Sequence, residues 1–419
     1  MSSTALALSN PCEAGATGAV MPVDIAAAKA IAAAVPVAET ETIDLLASIG
    51  RVPASEVAAR LDLPPFNASA MDGYAVKADN FLKPGPWRLR VAGRIVAGDV
   101  PKRSYEGAVR ILTGAPVPQG FDAVIMQEKC RVEGGVIVVS ERPRAGQNVR
   151  IAGEDLRRGD LLVKPGDLLK AQQLALLAGQ GMAEIEVRRK IRIGLISTGT
   201  ELREPGQPLH PGQIFNSNRV MLRASLDSCR WAEVFDFGIV PDTRETIAET
   251  VAEASTHCDA IITTGGVSAG EEDHVTSVVA AGGGRLDVMK VAMRPGKPVK
   301  VGRLDRALFL GLPGNPNATL VTFRMIALPA LRKLAGLSNT APIWALAIAD
   351  FAYEKRVDRT EFVPVRLGAG RPDGLPRLTM LGRGSSASLR AISQAEGIAL
   401  LPPGVDRVEP GMRLAFEAI

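Results

Sequence analysis

Cysteine is scarce in this chain of 419 residues: Cys12, Cys130, Cys229 and Cys258 are the only four, far apart and never in a CxxC spacing. That argues against a zinc site or a disulfide framework and fits a reducing, cytoplasmic compartment. Aromatic residues make up only 4%, which argues against base stacking as a way of holding nucleic acid. Charge of one sign is nearly absent, since 49 basic residues against 45 acidic ones leave +4, too little for a nucleic-acid footprint. No run of 18 consecutive apolar residues occurs, so no membrane-spanning helix is expected. The first 22 residues hold no Lys or Arg and so lack the basic start of a signal peptide; residues 1–21 read as a disordered leader. Chemical signatures are missing too. There is no GxGxxG after a strand, no GxxxxGK[ST] and no GxSxG, which removes a Rossmann dinucleotide site, a P-loop and a serine-nucleophile elbow. None of the three histidines has a partner at metal-ligand spacing, and His274 reads as structural or as a neighbour of the site.

What is there describes a large globular chain. Hydrophobic residues reach 46%, charged ones 22%, and 42 Gly with 29 Pro imply many tight turns. The length is that of three or four domains. Residues 22–60 carry helical periodicity, with Ile25, Ala28, Ile31 and Val35, then Thr42, Ile43, Leu45, Leu46 and Ile49, parted at Pro36. Residues 61–151 change to short alternating runs, such as Trp87, Leu89, Val91 and Val136 to Val139, and read as an inserted β-rich module. A further helix over Leu168 to Gly179 makes 22–60 and 152–189 two halves of a split helical domain. Residues 190–335 alternate strand and helix, with apolar runs at Ile191 to Ile196, Val234 to Ile239, Asp259 to Ile262 and Ala307 to Leu310. That predicts a central doubly wound, mostly parallel α/β domain. Asp242 and Glu245 resemble a capping box at one helix start. Residues 336–419 return to short strands, a C-terminal β domain.

In such a sheet the ligand lies beyond the carboxyl ends of the strands. Four polar loops follow the four strands: STGTEL (197–202), PDT (241–243), TTGGVSAGEED (263–273) and GLPGNPN (311–317). In the third, Gly265, Gly266 and Gly270 let backbone amides approach an anion, while Glu271, Glu272 and Asp273 offer hard oxygens to a divalent cation. An ordinary βα loop is the bland reading of each loop alone; four on one edge point to a site. Ser197, Thr198 and Ser268 look like hydrogen-bond donors to a ligand rather than nucleophiles. MRPGKP (293–298) holds Arg294 and Lys297 on a proline-stiffened turn suited to an oxyanion or phosphate, against the alternative of a solvated basic turn. Asp72, before Gly73 in PPFNASAMDGYAV, reads as a turn residue or a site acid.

SAMDGYAV, RILTGAPVPQGFDAVIMQE, GEDL, STGTEL, TTGGVSAGEEDH, RPGKP and GLPGNP occur in the order seen in the MoeA family, the molybdopterin molybdenumtransferases, and from about residue 22 the chain resembles that family. The resemblance implies a four-domain, homodimeric subunit with an adenylyltransferase-like α/β domain and a C-terminal β-barrel-like domain. Its active site would lie between the α/β domain of one subunit and the inserted domain of the other. The implied reaction inserts molybdate into adenylylated molybdopterin and releases AMP, assisted by Mg2+. By motif, Asp72, Asp155, Glu201 and Asp273 match family acids, with Glu201 and Asp273 as metal ligands. Thr113, Ser197, Thr198, Gly199, Asp242, Gly265, Gly266, Ser268, Pro313, Gly314 and Pro316 match substrate-binding positions. Arg294, Lys297, Pro298, Arg359 and Ser386 match the molybdate region, charge suited to a tetrahedral dianion. Three departures stand out: Arg294 where many relatives have Lys, NAT rather than VSA after GLPGNP, and Asn216 where some have an acid. A non-catalytic scaffold like the gephyrin E domain and a molybdopterin adenylyltransferase are the rival readings. The acids argue against the first, and Val267 and Ser268 in place of TG argue against the second.

Overall fold

In the computed structural model the described residues are 20–265, 274–368 and 374–419. They divide into two compact units, one of residues 56–164 with 175–183, the other of the remaining chain. The larger unit is built on a six-stranded sheet in the order Ala232–Val240, Ile191–Thr198, Ala260–Thr264, Ala307–Leu312, Pro298–Leu304, Arg285–Lys290. The first four strands run parallel, and the last two are antiparallel additions that the sequence reading had not resolved as strands. Strand periodicity explains the burial on both faces. Ile191, Ile193, Leu195, Ala260, Ile262, Leu308 and Leu310 share one core, while Ile196, Ile261 and Phe309 share another. Helix Ser217–Asp227 covers the first face through Leu222 and Leu226. Helices Arg244–His257 and His274–Ala281 cover the second through Ile247, Val251, Val275 and Val278. The start of Arg244–His257 differs from expectation: Thr243 is the N-cap, its hydroxyl accepting from the Thr246 N–H at 3.4 Å, because Asp242 stands one residue too early.

The split helical domain is corrected in kind. Val23–Ala33 is the one α-helix of the described residues in the first half, and its Ala26 and Ala30 are buried in the core of the central sheet; of the second expected helix only a 3-10 turn, Leu46–Ser48, forms. Thr40–Asp44, expected as helix, is a strand paired antiparallel with Glu184–Arg188. Thr40, Thr42 and Ile43 are β-branched, and a partner strand from far along the chain decides the local choice. The halves flanking the insertion thus meet through strands, reinforced by Gly50 N–H to Leu169 O at 2.7 Å and Leu169 N–H to Arg51 O at 3.0 Å.

The C-terminal strands close on themselves. Thr360–Gly368, Arg377–Met380, Ala345–Ala349, Arg413–Ala418 and Gly397–Leu401 pair in succession, and the last pairs back with the first, giving a five-stranded barrel. Its edge receives a short guest strand, Met293–Arg294, parallel to Thr360 and Glu361. The chain is thus a multidomain mixed α/β protein. The smaller unit carries its own six-stranded sheet, in which Gly73–Val76 lies between Ala123–Met126 and Ala108–Ile111. A Cβ on Gly73 would stand 2.0 Å from the Ile125 carbonyl oxygen, so that position admits only glycine. No helix of the described residues is long and apolar enough to cross a membrane.

An ion pair ties the central sheet to the strand pair Thr40–Asp44 and Glu184–Arg188. Arg189 grips Asp259 with two guanidinium nitrogens, at 2.7 and 2.9 Å, and the Arg192 N–H donates to the same carboxylate at 2.8 Å. Burial alone would raise the Asp259 pKa, but these bonds outweigh it and hold it below the usual carboxylate range. A folded-state pKa below the unfolded one stabilises above the unfolded pKa, and the gain is lost as pH falls through the folded value. Asp259→Asn is therefore expected to cost about 2–3 kcal/mol at neutral pH and to remove that acid-dependent part of stability. Urea denaturation of both proteins from pH 7 down to pH 3 checks it.

Candidate functional site

The carboxyl ends of three parallel strands open onto one cavity of about 630 Å³. Thr198, Thr264, Gly265, Gly314 and Pro316 line it from those ends, with Glu201, Asn216 and Asn218 alongside. Gly265 has φ +89°, and a Cβ there would stand 2.4 Å from the Thr198 carbonyl oxygen, so the third loop can lie against the first only as glycine. The wall opposite is pinned by Asn218, whose side-chain amide donates to the Gly314 carbonyl at 2.6 Å. Asn216, the departure from an acid, is the N-cap of helix Ser217–Asp227: its Oδ1 accepts from the Arg219 N–H at 3.2 Å. Among the described residues its Nδ2 has no hydrogen-bond partner, nor do Asn218 Oδ1 and Thr198 Oγ1, all buried. Buried polar atoms are ordinarily bonded. Three orphans around one cavity mark where a polar ligand would supply the missing partners.

A second cavity of about 650 Å³ adjoins it, sharing Gly314 and Asn315 as lining. Arg294, Lys297, Pro298, Arg359 and Ser386 all line it, together with Pro313, Arg356 and Asp358. Each cation is set by a local reason. Arg294 sits on the guest strand, opposite Glu361 in register, and donates to the Gly384 carbonyl at 3.3 Å. Arg359 donates through Nε to Glu361 Oε1 at 3.1 Å. The loop carrying Arg356 and Arg359 is tied down by buried Lys355, whose ammonium donates to the carbonyls of Arg356, Arg359, Pro402 and Val405 at 2.8–3.0 Å. Burial lowers the Lys355 pKa, and the four carbonyls supply the solvation it has lost. Lys297 is exposed and enters no ion pair among the described residues.

The NAT departure has a structural account. The Asn317 backbone N–H donates to Ser386 O at 3.0 Å, and its side-chain amide donates to Ser385 O at 3.2 Å. Thr319 Oγ1 donates to Pro313 O at 2.6 Å. These bonds fasten the loop that carries Ser386 to the loop that separates the cavities. Pro316 opens the short helix Pro316–Thr322 at its first turn, where a missing N–H costs nothing.

Other candidate residues stand elsewhere. Ser197 is fully buried and bonded to Thr264 Oγ1 at 3.1 Å, so it braces the strands rather than facing a ligand. Gly199 is buried beside Glu201. Asp242 follows its strand but lines neither cavity. Gly266, Ser268 and Asp273 lie outside the described residues. Asp72, Thr113 and Asp155 belong to the smaller unit. There Asp72 accepts from the Thr113 N–H at 2.8 Å and its hydroxyl at 2.7 Å, and these bonds lower its pKa. Asp155 is exposed. Burial pushes the Cys130 and Cys258 thiols up to about 11, which disfavours the thiolate at both.

For a divalent cation, Glu201 is a hard oxygen donor at the edge of the first cavity, and its carboxylate enters no ion pair among the described residues. No group of three ligating side chains gathers among the described residues, and the expected second acid, Asp273, falls outside them.

Sequence reasoning missed Glu361, Lys355 and Arg356, and marked Asn317 only as part of a loop and of a departure from the family pattern. For Glu361 a signal existed, an acid opening the apolar run FVPV. The others needed tertiary structure.

Comparison with known proteins matches three families along the chain. Residues 17–181 match one described as MoeA N-terminal region (domain I and II). Residues 194–333 match a probable molybdopterin binding domain, and residues 347–418 a MoeA C-terminal region (domain IV). The chain is 39% identical over 328 residues to a molybdopterin molybdenumtransferase of Haemophilus influenzae, covering 77% of this chain and 80% of that one. It is 36% identical over 383 residues to that of a Nostoc species, covering 89% and 87%. A molybdopterin biosynthesis moeA protein from Pyrococcus horikoshii OT3 has a similar structure, with TM-score 0.81 and 26% identity over 96% of this chain and 100% of that one.

Gly265→Ala should break the contact between the first and third loops. The strained φ and the clash together cost about 2–4 kcal/mol, read as a drop in melting temperature with unchanged far-UV circular dichroism at 20 °C.

Proposed function

The chain belongs to the molybdopterin molybdenumtransferases and is a transferase of molybdenum cofactor biosynthesis; on that footing we propose the finer assignment, in which molybdate is inserted into adenylylated molybdopterin and AMP leaves. The observation that carries it is the pair of cavities sharing Gly314 and Asn315. One is lined by four cationic side chains and suits a small tetrahedral dianion. The other has a glycine approach, orphaned polar atoms and Glu201, and suits the pterin and its phosphates. A reaction joining the two substrates needs them side by side.

Arg294, Lys297 and Arg359 bind the dianion, Pro298 shapes the floor, and Ser386 offers a hydroxyl. Thr198, Gly265, Gly314 and Pro316 orient the pterin nucleotide. Glu201 and Asp273 are the residues that would hold Mg2+, which supplies charge neutralisation at the phosphoryl group when bound. Asp72 and Asp155 join the catalytic set in a homodimer and Thr113 the substrate-binding one, with Asp72 favoured in its ionised form by the two Thr113 bonds. The rival readings explain less. A scaffold has no need of a cationic cavity beside a polar one that carries Glu201, and an adenylyltransferase alone has no use for the flanking regions that match here.

Incubation with adenylylated molybdopterin, molybdate and Mg2+ is expected to yield AMP and molybdenum-loaded molybdopterin by mass spectrometry. Asp72→Ala and Glu201→Ala should remain folded and lose AMP release by about 100-fold or more, and EDTA should lower it in the parent. Parent-like turnover in both variants would remove the proposed roles. Light scattering that returns a monomer would remove the homodimer.

A further inference from the structure

Glu361 is 1% exposed, lines neither cavity, and has no part in the reaction as assigned above. We propose that Glu361 is the positioning residue of the oxyanion cavity, its buried carboxylate fixing Arg294 and Arg359 so that they present a matched pair of cations to a tetrahedral dianion. This rests on the oxyanion reading of that cavity.

A carboxylate so deeply buried is costly unless it is paired and hydrogen-bonded. Here both oxygens are used. Oε1 accepts from Arg359 Nε at 3.1 Å. Oε2 accepts from the Tyr353 hydroxyl at 3.0 Å and stands 3.6 Å from an Arg294 terminal nitrogen. Two arginines from distant parts of the chain therefore converge on one anion. The guest strand makes this possible by setting Arg294 opposite Glu361 in register. Arg359 spends only Nε on protein partners among the described residues, so its two terminal nitrogens remain for a ligand. A guanidinium held through one side is preorganised for recognition by the other.

Charge points the same way. Arg294, Lys297, Arg356 and Arg359 face Asp358 and, behind the wall, Glu361. Lys355, buried close to Glu361, adds a fifth cation, so the excess is three positive charges and the site is net cationic toward a dianion. Without Glu361 the two arginines would repel each other and lose their common anchor.

The test measures molybdate binding by equilibrium dialysis with molybdenum counted by mass spectrometry, alongside kcat and the KM for molybdate. Glu361→Gln keeps the volume but loses the charge. It should raise both the dissociation constant and KM about 10-fold, with kcat at saturating molybdate within about 2-fold; Glu361→Asp should recover part of the loss. Should Glu361→Gln not fold, Tyr353→Phe carries the test, with about 2- to 4-fold weaker binding expected. Dialysis affinity within 2-fold of the parent in the folded variant overturns the proposal, as does a lowered melting temperature with unchanged KM. Lys297→Ala separates the two levels. If it weakens molybdate binding while Glu361→Gln does not, the positioning role alone fails. If neither weakens it, the oxyanion reading of the cavity fails as well.

Discussion

The loop Pro313–Pro316 is the constraint on which both cavities depend, because the same backbone forms a wall of each. A loop at the end of a parallel strand is ordinarily free to move, and this one is fastened from three directions. Asn218 holds the Gly314 carbonyl from the helix that covers the sheet. Thr319 folds back onto the Pro313 carbonyl. Asn317 reaches the Ser385 and Ser386 carbonyls in the loop before the last barrel strands. Each bond is worth about 1 kcal/mol, yet their effect is geometric: a shift of the wall would change both cavities at once.

Gathering cations at one place carries an electrostatic cost that the fold must offset locally. Four basic side chains around about 650 Å³ repel one another. The barrel supplies what offsets this in Glu361, a carboxylate buried beside Arg294 and Arg359, while Lys355, buried close by in sequence, acts through its carbonyl bonds and not through its charge. Lys355 satisfies four carbonyls and so stiffens the loop of Arg356 and Arg359. Tyr353, its pKa raised first by burial and then by Glu361, remains a hydroxyl donor to that carboxylate. The barrel is thus more than a terminal module: it is the frame that holds one half of the binding chemistry.

Much of this was legible in the sequence because parallel strands announce themselves. Runs such as Ile191 to Ile196 and Ala307 to Leu310 are rich in apolar residues, and the rule that ligands gather at carboxyl ends points to Thr198, Gly265 and Gly314, which the fold brings to one cavity, and to Asp242, which lines neither. The five residues assigned to the oxyanion by motif also share one cavity. What was not legible depends on pairing over long sequence distance. Thr40–Asp44 reads as a helix until Glu184–Arg188 arrives beside it, and Arg294 is a turn residue until a barrel strand lies alongside. Asp242 failed as a cap for a local reason, the preceding residue being no substitute for Thr243.

The departures from the family pattern are intelligible in the same terms. An asparagine keeps the capping oxygen that an acid would give at position 216 while removing one negative charge, and it adds an amide donor to a cavity that already holds Glu201. Helix capping therefore tolerates the change fully. Asn317 and Thr319 replace smaller or apolar residues with side chains that bond the surrounding carbonyls. Arginine at 294 keeps the charge of lysine but adds the planar fork needed to reach Glu361 and Gly384 together. A lysine ammonium at the end of an unbranched stem could not bridge both in the same way. The substitutions thus add hydrogen-bonding groups that fasten the loops around the two cavities, and one of them, Asn216, does so while removing a charge.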